Sequence, residues 1–281
     1  MDQVQKILTA ILAGLVVLLV VMYFQSAGSA TRKSKSKLYK PTFLVLGPNG
    51  GGKTALFFQL QDGDEKSQAT ISSLEPNIGS ISIPFSNSKI QKEYQLIDYP
   101  GHLKYSQLLR KLIVEDVTVS KLKGIVYMID SSDQFLSQEG RLASIAKDLY
   151  NLLSITEKIP NGVDYLFAIN KQDLFDSRPV FKVKKMLEEE LEKLIKSELG
   201  AKGSARGGSG IDNDDDDENA QEFQKEESTR DFWKSVVGAN RSFRFELLEG
   251  NMEFIGGSVT KGKISNWENW FDEKAVNYAG M

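Results

Sequence analysis

The residues best suited to chemistry form a glycine-rich octapeptide that fits the pattern G-x-x-x-x-G-K-[ST], namely Gly47-Pro48-Asn49-Gly50-Gly51-Gly52-Lys53-Thr54. It follows an apolar run, 42–46, that predicts a buried strand, and it precedes a helical pattern. The glycines let successive backbone N–H groups point at one anion, and the start of the helix adds its positive dipole. We therefore predict a phosphate-binding loop in which Lys53 pairs with the terminal phosphates and Thr54 ligates Mg²⁺. The predicted contacts are Gly47, Asn49, Gly50, Gly51, Gly52, Lys53, Thr54 and Ala55.

A second motif predicts which base the site accepts. Asn170-Lys171-Gln172-Asp173 has the form N-K-x-D and follows a predicted strand, 164–169, at the end where open α/β sheets bind ligands. A carboxylate at Asp173 can accept two hydrogen bonds from N1 and N2 of guanine, and adenine lacks that pair of donors. Asn170 would tie this segment to the phosphate loop, and Lys171 would lie over the base. The predicted ligand is GTP.

A third motif, Asp98-Tyr99-Pro100-Gly101-His102, has the form D-x-x-G and also follows a predicted strand. Asp98 would bind Mg²⁺, and the N–H of Gly101 would sense the γ-phosphate. The three motifs, in this order, resemble those of small GTPases, in which a Gln usually follows the D-x-x-G. Here His102 stands at that place, and its imidazole could orient the attacking water, so His102 and Gly101 are the candidate catalytic residues. Because Asn49 crowds the γ-phosphate region and no internal arginine finger is evident, we expect unassisted hydrolysis at or below about 10⁻⁴ per second.

Two further elements complete the expected site. A hydroxyl between the first helix and the second strand should ligate Mg²⁺, and Thr70, Ser72 and Ser73 are the candidates. A segment after the last strand should contact guanine O6, and residues 257–261, including Ser258 and Val259, stand there.

These motifs require a scaffold of alternating strands and helices. Strand patterns occur at 42–46, 81–85, 94–97, 124–129 and 164–169, with Pro84 indicating an edge strand, and helical patterns lie near 53–61, 103–115, 136–157 and 180–199. Two more strand patterns, 243–248 and 252–255, flank a Gly250-Asn251 turn, and a closing helix at 264–276 places Trp267, Trp270 and Phe271 on one face as core. We predict an α/β P-loop small-GTPase fold with a mostly parallel six-stranded sheet and helices on both faces.

The N-terminus predicts a membrane anchor. Residues 7–24 carry no charge and would span about 27 Å as a helix. A cleaved signal peptide and a buried core helix are the alternatives. The basic residues after this stretch, Arg32, Lys33, Lys35, Lys37 and Lys40, place that side in the cytosol, so residues 1–6 would be lumenal or exterior. The tether, 25–40, is suited either to contact anionic headgroups or to remain solvated.

The remaining composition sets limits on the protein's class. The chain has no Cys, one His and a net charge of −3, which excludes disulfide scaffolds and thiol nucleophiles and argues against His-based zinc sites. The mean hydropathy of −0.30 averages the apolar N-terminus with an acidic, low-complexity segment at about 200–228, which we expect to be a disordered insertion in a GTPase domain covering 41–281. Asp2 and the absence of Cys exclude lipid attachment, which argues against a GTPase that cycles on and off membranes.

Together with the anchor, the 98–102 motif resembles the beta subunit family of the signal recognition particle receptor, membrane-anchored relatives of the Arf and Sar GTPases. Residues 70–73 resemble the Arf-type switch I, with Ser73 at the metal-binding hydroxyl, and 258–261 resemble the S-A-K element. The resemblance implies that the GTP form binds the N-terminal domain of the receptor alpha subunit at the endoplasmic reticulum membrane. It also implies proximity to the ribosome or translocon, without direct nucleic-acid binding. An Arf/Sar-like trafficking GTPase and an anchored scaffold that binds GTP without hydrolysing it are the alternatives.

Overall fold

The computed structural model describes residues 40–62, 70, 73–102, 105–158, 160–200, 217–238 and 242–277. Within these residues no helix is long and apolar enough to cross a membrane. The predicted transmembrane helix, 7–24, and nearly all of the tether lie outside them.

A six-stranded sheet forms the centre of the described chain, and it confirms the predicted fold class. Its strands lie in the order β2-β3-β1-β4-β5-β6; β2 runs antiparallel to β3, and all other neighbours are parallel. The edge position of β2 agrees with the Pro84 that follows it. The strand bounds are β1 Thr42–Leu46, β2 Asn77–Ile83, β3 Lys92–Asp98, β4 Leu122–Asp130, β5 Tyr165–Asn170 and β6 Met252–Gly256.

Helices cover both faces of this sheet. Their bounds are α1 Lys53–Asp62, α2 Ser106–Lys111, α3 Asp133–Leu136, α4 Arg141–Thr156, α5 Val180–Gly200, α6 Asp217–Val237 and α7 Ser265–Asn277. The closing helix α7 packs its three aromatic residues into the core as expected, because Trp267, Trp270 and Phe271 are all buried. The ring of Phe271 meets that of Phe43 on β1 edge to face, with centroids 5.0 Å apart.

The predicted hairpin near residue 250 is wrong. Phe245–Leu247 forms a 3₁₀ turn instead of a strand, and β6 pairs in parallel with β5. Phe245 packs against Phe167 and Phe254 in an aromatic cluster, so its side chain is held by the core rather than by strand pairing. The backbone N–H of Gly250 donates to the buried carboxylate of Glu157, at 2.9 Å, and this contact brings the chain alongside the start of β5.

The predicted disorder of the acidic segment is wrong for residues 217–228, which form the first part of α6. Residues 201–216 lie outside the described chain. A helix is favoured here because acidic residues are stabilising in a first helical turn and Glu, Gln and Lys are good helix formers. The later part of α6 is anchored by Trp233, which is fully buried and stacks on Tyr150 of α4 at 5.1 Å between ring centroids.

The helix α4 carries a partly buried acidic residue, Asp148, whose pKa is raised. Burial raises the pKa of Asp148 to about 6, and the nearby charges of Lys147 and Lys53 offset this only in part. Asp148 lines a small cavity between α4 and the sheet, and Tyr127 lies in the wall of the same cavity. The hydroxyl of Tyr127 is buried without a hydrogen-bond partner among the described residues. The ionised form of Asp148 is therefore the disfavoured form in the folded chain.

We expect Asp148→Asn to stabilise the protein at neutral pH by up to about 2 kcal/mol. An unfolded Asp ionises near pH 4. Between about pH 4 and 6 only the folded chain holds this proton, and the stability that the proton confers is lost as the pH rises through 6. The gain should therefore shrink as the pH falls to 5. Urea unfolding at the two pH values measures it, with the exposed Glu139→Gln as control; an equal gain at both would contradict this account.

Candidate nucleotide-binding site

A cavity of about 590 Å³ opens where four parallel strands end. Most of the predicted ligand-binding residues reach its wall, which shows that the motifs, separated by more than 200 positions in the sequence, meet at one edge of the sheet. The predicted residues in the wall are Asn49, Gly50, Gly52, Lys53, Thr54, Ala55, Ser73, Gly101, Asn170, Lys171, Asp173 and Val259; the other lining residues are Thr70, Pro100, Leu174 and Thr260.

The phosphate loop requires glycine at two of its positions for steric reasons. Gly47 has φ +126°, and a Cβ there would lie 2.3 Å from the carbonyl oxygen of Met128. Gly52 has φ +97°, and a Cβ there would lie 2.3 Å from the side-chain nitrogen of Asn170. Because both positions combine a left-handed backbone with close packing, a larger residue would push the loop away from β4 and from residues 170–173, the predicted base-binding segment.

Lys53 is held at the floor of this loop. It is buried, and its Nζ donates a hydrogen bond to the carbonyl of Pro48 at 2.9 Å. Burial lowers the pKa of Lys53 to about 8, and the negative charge of Asp98 compensates only in part. An anionic phosphate beside this ammonium group would favour its charged form.

The residues expected to bind the metal lie together. The hydroxyl of Thr54 donates to Oδ2 of Asp98 at 2.7 Å and lies 3.1 Å from Oγ of Ser73. Oδ1 of Asp98 is buried with no hydrogen-bond partner among the described residues, and burial raises the pKa of this carboxyl. A set of hydroxyl and carboxylate oxygens with one carboxylate oxygen unsatisfied fits a hard cation such as Mg²⁺. Of the other two candidates, Thr70 lines the cavity and Ser72 lies outside the described residues.

Asn77 is a member of this cluster that the sequence motifs missed. Its side-chain amide donates to Oδ2 of Asp98 at 2.8 Å and to Oγ of Ser73 at 3.1 Å, so it holds both groups in place. Asn77 is the first residue of β2 and stands opposite Asp98 in the sheet register. Only the antiparallel pairing of β2 with β3 could have revealed this neighbour.

The base-binding segment is tied to the phosphate loop by one amide. The Nδ2 of Asn170 donates to the carbonyl of Gly51 at 2.9 Å, and its Oδ1 accepts from the N–H of Val259 at 3.1 Å. Asn170 is 3% exposed, so these two bonds are made in the interior. The segments 47–54, 170–173 and 257–261 are consequently held in fixed relation.

The neighbouring residues of the base-binding segment have distinct positions. Lys171 has φ +62°, and its Nζ pairs with Asp130 at 2.6 Å. Asp173 is exposed at the cavity wall. Asp130 was missed, although its place at the end of β4 is one that the strand-end rule could have indicated. Ser258 is buried behind the wall, where its hydroxyl lies 3.3 Å from that of Thr260 and accepts from the N–H of Lys261.

The candidate catalytic histidine does not line the large cavity. His102 lies in the wall of a second cavity of about 70 Å³, and its ring meets that of Tyr105 edge to face with centroids 6.4 Å apart. Gly101 lines both cavities. The structure thus brings Gly101 to the phosphate loop, whereas His102 lines only the smaller cavity.

A family model described as the signal recognition particle receptor beta subunit matches residues 38–251, which is more than half of the chain. The chain belongs to this family. The beta subunit of the signal recognition particle receptor from Saccharomyces cerevisiae is 31% identical over 95% of this chain and 98% of its own length. The beta subunit from Dictyostelium discoideum is 26% identical over 90% of this chain and 78% of its own length.

Solved structures of the same receptor share the fold. The mammalian signal recognition particle receptor matches with a TM-score of 0.58 and 22% identity, covering 83% of this chain and 99% of that one. The SRb-GTP/SRX complex from Chaetomium thermophilum matches with a TM-score of 0.55 and 22% identity, at the same coverage. At this level of identity the structural comparison shows the architecture, and the family assignment rests on the sequence matches.

The bridging amide of Asn170 yields a stability prediction. Asn170→Ala should lower the free energy of unfolding by about 2–4 kcal/mol, because it removes two buried hydrogen bonds and leaves the Gly51 carbonyl and the Val259 N–H unpaired. Chemical denaturation of the nucleotide-free protein measures this. Asn251→Ala is the control, since that amide bonds to Glu253 at an exposed position. Equal losses in the two variants would show that the bridge contributes nothing of its own.

Proposed function

We propose that the chain binds GTP with Mg²⁺ and acts as the membrane-anchored GTP-binding subunit of a signal recognition particle receptor. The observation that carries the proposal is the single cavity in which the phosphate loop, the Thr54–Ser73–Asp98 cluster and Asp173 meet. The family assignment supports it. Solved relatives from Chaetomium thermophilum are described with GTP and with GDP and Mg, which fits the donor groups present here.

Each part of the cavity has a proposed task. The backbone N–H groups of the 47–55 loop and the ammonium of Lys53 bind the phosphates, and Thr54, Ser73 and Asp98 hold Mg²⁺, which would neutralise phosphate charge when bound. The carboxylate of Asp173 accepts from N1 and N2 of guanine. The loop carrying Ser258 and Val259 is placed to contact guanine O6.

For hydrolysis, we propose a slow reaction in which Gly101 senses the γ-phosphate and His102 orients water. Because His102 lies outside the cavity, this role requires the segment after Pro100 to rearrange when nucleotide or a partner binds. The same observation favours a second candidate function, an anchored scaffold that binds GTP without hydrolysing it. An Arf/Sar-like GTPase that cycles on and off membranes is disfavoured by the predicted permanent anchor.

The proposed partner is the N-terminal domain of the receptor alpha subunit, bound in the GTP state at the endoplasmic reticulum membrane. Leu74 and Ile78, 74% and 52% exposed, flank the Ser73–Asn77 contact at the cavity rim. A γ-phosphate or metal that engages Ser73 would therefore order a surface that carries large apolar side chains. Such a surface suits a partner that binds the GTP form more tightly than the GDP form. A position near the ribosome or translocon follows from the same proposed receptor role.

Base selection gives a direct test of GTP binding. Asp173→Asn should reduce GTP affinity by at least about 100-fold, because two hydrogen bonds to a carboxylate are lost. It should also raise affinity for xanthosine triphosphate, whose O2 can accept from the new amide. Titration calorimetry with both nucleotides measures the exchange, and Asp176→Asn on the same loop removes an equal charge as control. Unchanged GTP affinity in the Asp173 variant would refute the base contact.

Partner binding tests the receptor role. The chain loaded with a non-hydrolysable GTP analogue should retain the alpha-subunit N-terminal domain in a pull-down at least about ten-fold better than the GDP-loaded chain. Ile78→Ser should weaken that capture. Ile90→Ser, which alters an equally exposed isoleucine at the other end of the β2–β3 pair, should leave it unchanged. Equal capture of the GDP and GTP forms would contradict the proposed switch.

A further inference from the structure

Several lysines lie at the end of the sheet where the parallel strands start, which is opposite the end that carries the nucleotide cavity. In the register, Thr42 stands opposite both Gln95 and Leu122, and Ile83 stands opposite Lys92, so the starts of β1, β3 and β4 and the β2–β3 turn lie side by side. We call this surface the strand-start face, and it consists of Lys40, Lys89, Ile90, Lys92, Lys121 and Lys123.

The charge of this face is mainly positive. Lys40, Lys89 and Lys92 are exposed. Lys121 and Lys123 stand on either side of Leu122, the first residue of β4, and burial together with the charge of Lys121 lowers the pKa of Lys123. Seven carboxylates belong to the adjoining elements, namely Glu93, Glu115, Asp116, Asp164, Glu253, Asp272 and Glu273.

Four of these carboxylates are already engaged. Asp272 accepts hydrogen bonds from the backbone N–H groups of Phe85 and Ser86, at 2.6 and 2.9 Å. Lys274 of α7 pairs with Asp164, Glu253 and Glu273 at 3.2, 3.3 and 3.4 Å. The five lysines of the face therefore stand beside three carboxylates, Glu93, Glu115 and Asp116, for which the described contacts show no such engagement.

Exposed apolar side chains accompany the lysines. Ile90 is 59% exposed at the β2–β3 turn, between Lys89 and Lys92. Val276, at the end of α7, is 58% exposed, and that end of α7 reaches this edge because the hydroxyl of Tyr94 on β3 donates to the carbonyl of Ala275. Lysines around single exposed apolar residues are typical of surfaces that meet lipid headgroups, where the apolar group enters the interface and the amines contact phosphates.

The chain itself indicates what covers this face. Lys40 is the first described residue, and its carbonyl accepts from the hydroxyl of Thr42 at the start of β1. The predicted membrane span ends at residue 24, so a tether of about 15 residues joins it to this edge and to no other. We propose that the strand-start face docks on the anionic phospholipid headgroups of the membrane that anchors the chain. This inference rests on the proposed anchoring.

Docking in this way gives the domain a definite orientation. The nucleotide cavity and the Leu74–Ile78 rim lie at the other end of the strands, so they face the cytosol, where a partner can reach them. Each lysine near an anionic leaflet favours the docked state by about five-fold. Because the Debye length at 0.15 M salt is about 8 Å, docking should weaken steeply as salt is raised.

The absence of native cysteine permits a clean test with the full chain. Ser88→Cys places a polarity-sensitive fluorophore on the strand-start face, and Glu139→Cys places it near the nucleotide edge. The labelled chain is reconstituted into bilayers of phosphatidylcholine alone or with phosphatidylserine, and quenching by brominated lipid is measured at low and high salt. Lys89→Glu with Lys92→Glu reverses two charges on the face. Lys147→Glu with Lys182→Glu makes the same charge change elsewhere, and GTP binding checks that both variants fold.

We expect quenching at residue 88 but not at 139, only in bilayers that contain phosphatidylserine, and lost at high salt. The Lys89/Lys92 variant should lower the equilibrium constant for docking by at least about 25-fold, because two lysines are lost and two repulsive carboxylates are added, and the control pair should leave this constant unchanged. A chain that inserts into both bilayers yet gives no quenching at residue 88 overturns this inference and leaves the anchoring intact. A chain that fails to insert refutes the anchoring as well. An emission change at residue 88 caused by single-stranded RNA, without lipid quenching, would assign the face to nucleic acid and also overturn the inference.

Discussion

The buried amide of Asn170 is the interaction on which the site depends. Its Nδ2 donates to the Gly51 carbonyl, and its Oδ1 accepts from the Val259 N–H. A single side chain therefore joins the phosphate loop, the predicted base-binding segment and the loop after the last strand. The sheet brings the three segments to one edge, but a parallel sheet alone leaves its connecting loops free to move. Because both bonds lie in the interior, where unpaired groups are costly, the bridge holds the phosphate end and the base end of the cavity at a fixed separation.

The part of the cavity next to the phosphate loop depends on a different feature, namely two buried ionisable groups, Lys53 and Asp98. Burial lowers the pKa of Lys53 and raises that of Asp98, so both groups are held in surroundings that disfavour their charged forms. One oxygen of Asp98 is left without a hydrogen bond among the described residues. A phosphate and a divalent cation would relieve both penalties together. The nucleotide-free protein therefore leaves both charged groups poorly solvated.

Sequence reasoning succeeded where the local pattern and the position in the sheet agree. The apolar and alternating runs predicted all six strands, and the glycine pattern and N-K-x-D motif predicted loops at strand ends, because side-chain chemistry and backbone geometry are both local there. It failed at 243–248, where alternating apolar residues enter an aromatic cluster with Phe167 and Phe254 instead of a strand ladder. It failed again at 217–228, because acidic composition was taken to prevent a helix that starts with acidic residues and is anchored further on by Trp233.

The sequence by itself determined the kind of chemistry to propose: a phosphate loop, a carboxylate suited to select guanine, and hydroxyl and carboxylate groups suited to ligate a metal, because each is encoded in a few consecutive residues. The tertiary structure decided which of the candidate groups meet. Ser73 reaches Thr54, Asn77 bridges Ser73 to Asp98, and His102 lines the smaller cavity and not the larger one. It also decided that lysines from three separate segments share the strand-start face. Such contacts join residues tens of positions apart, and only strand pairing and register determine them.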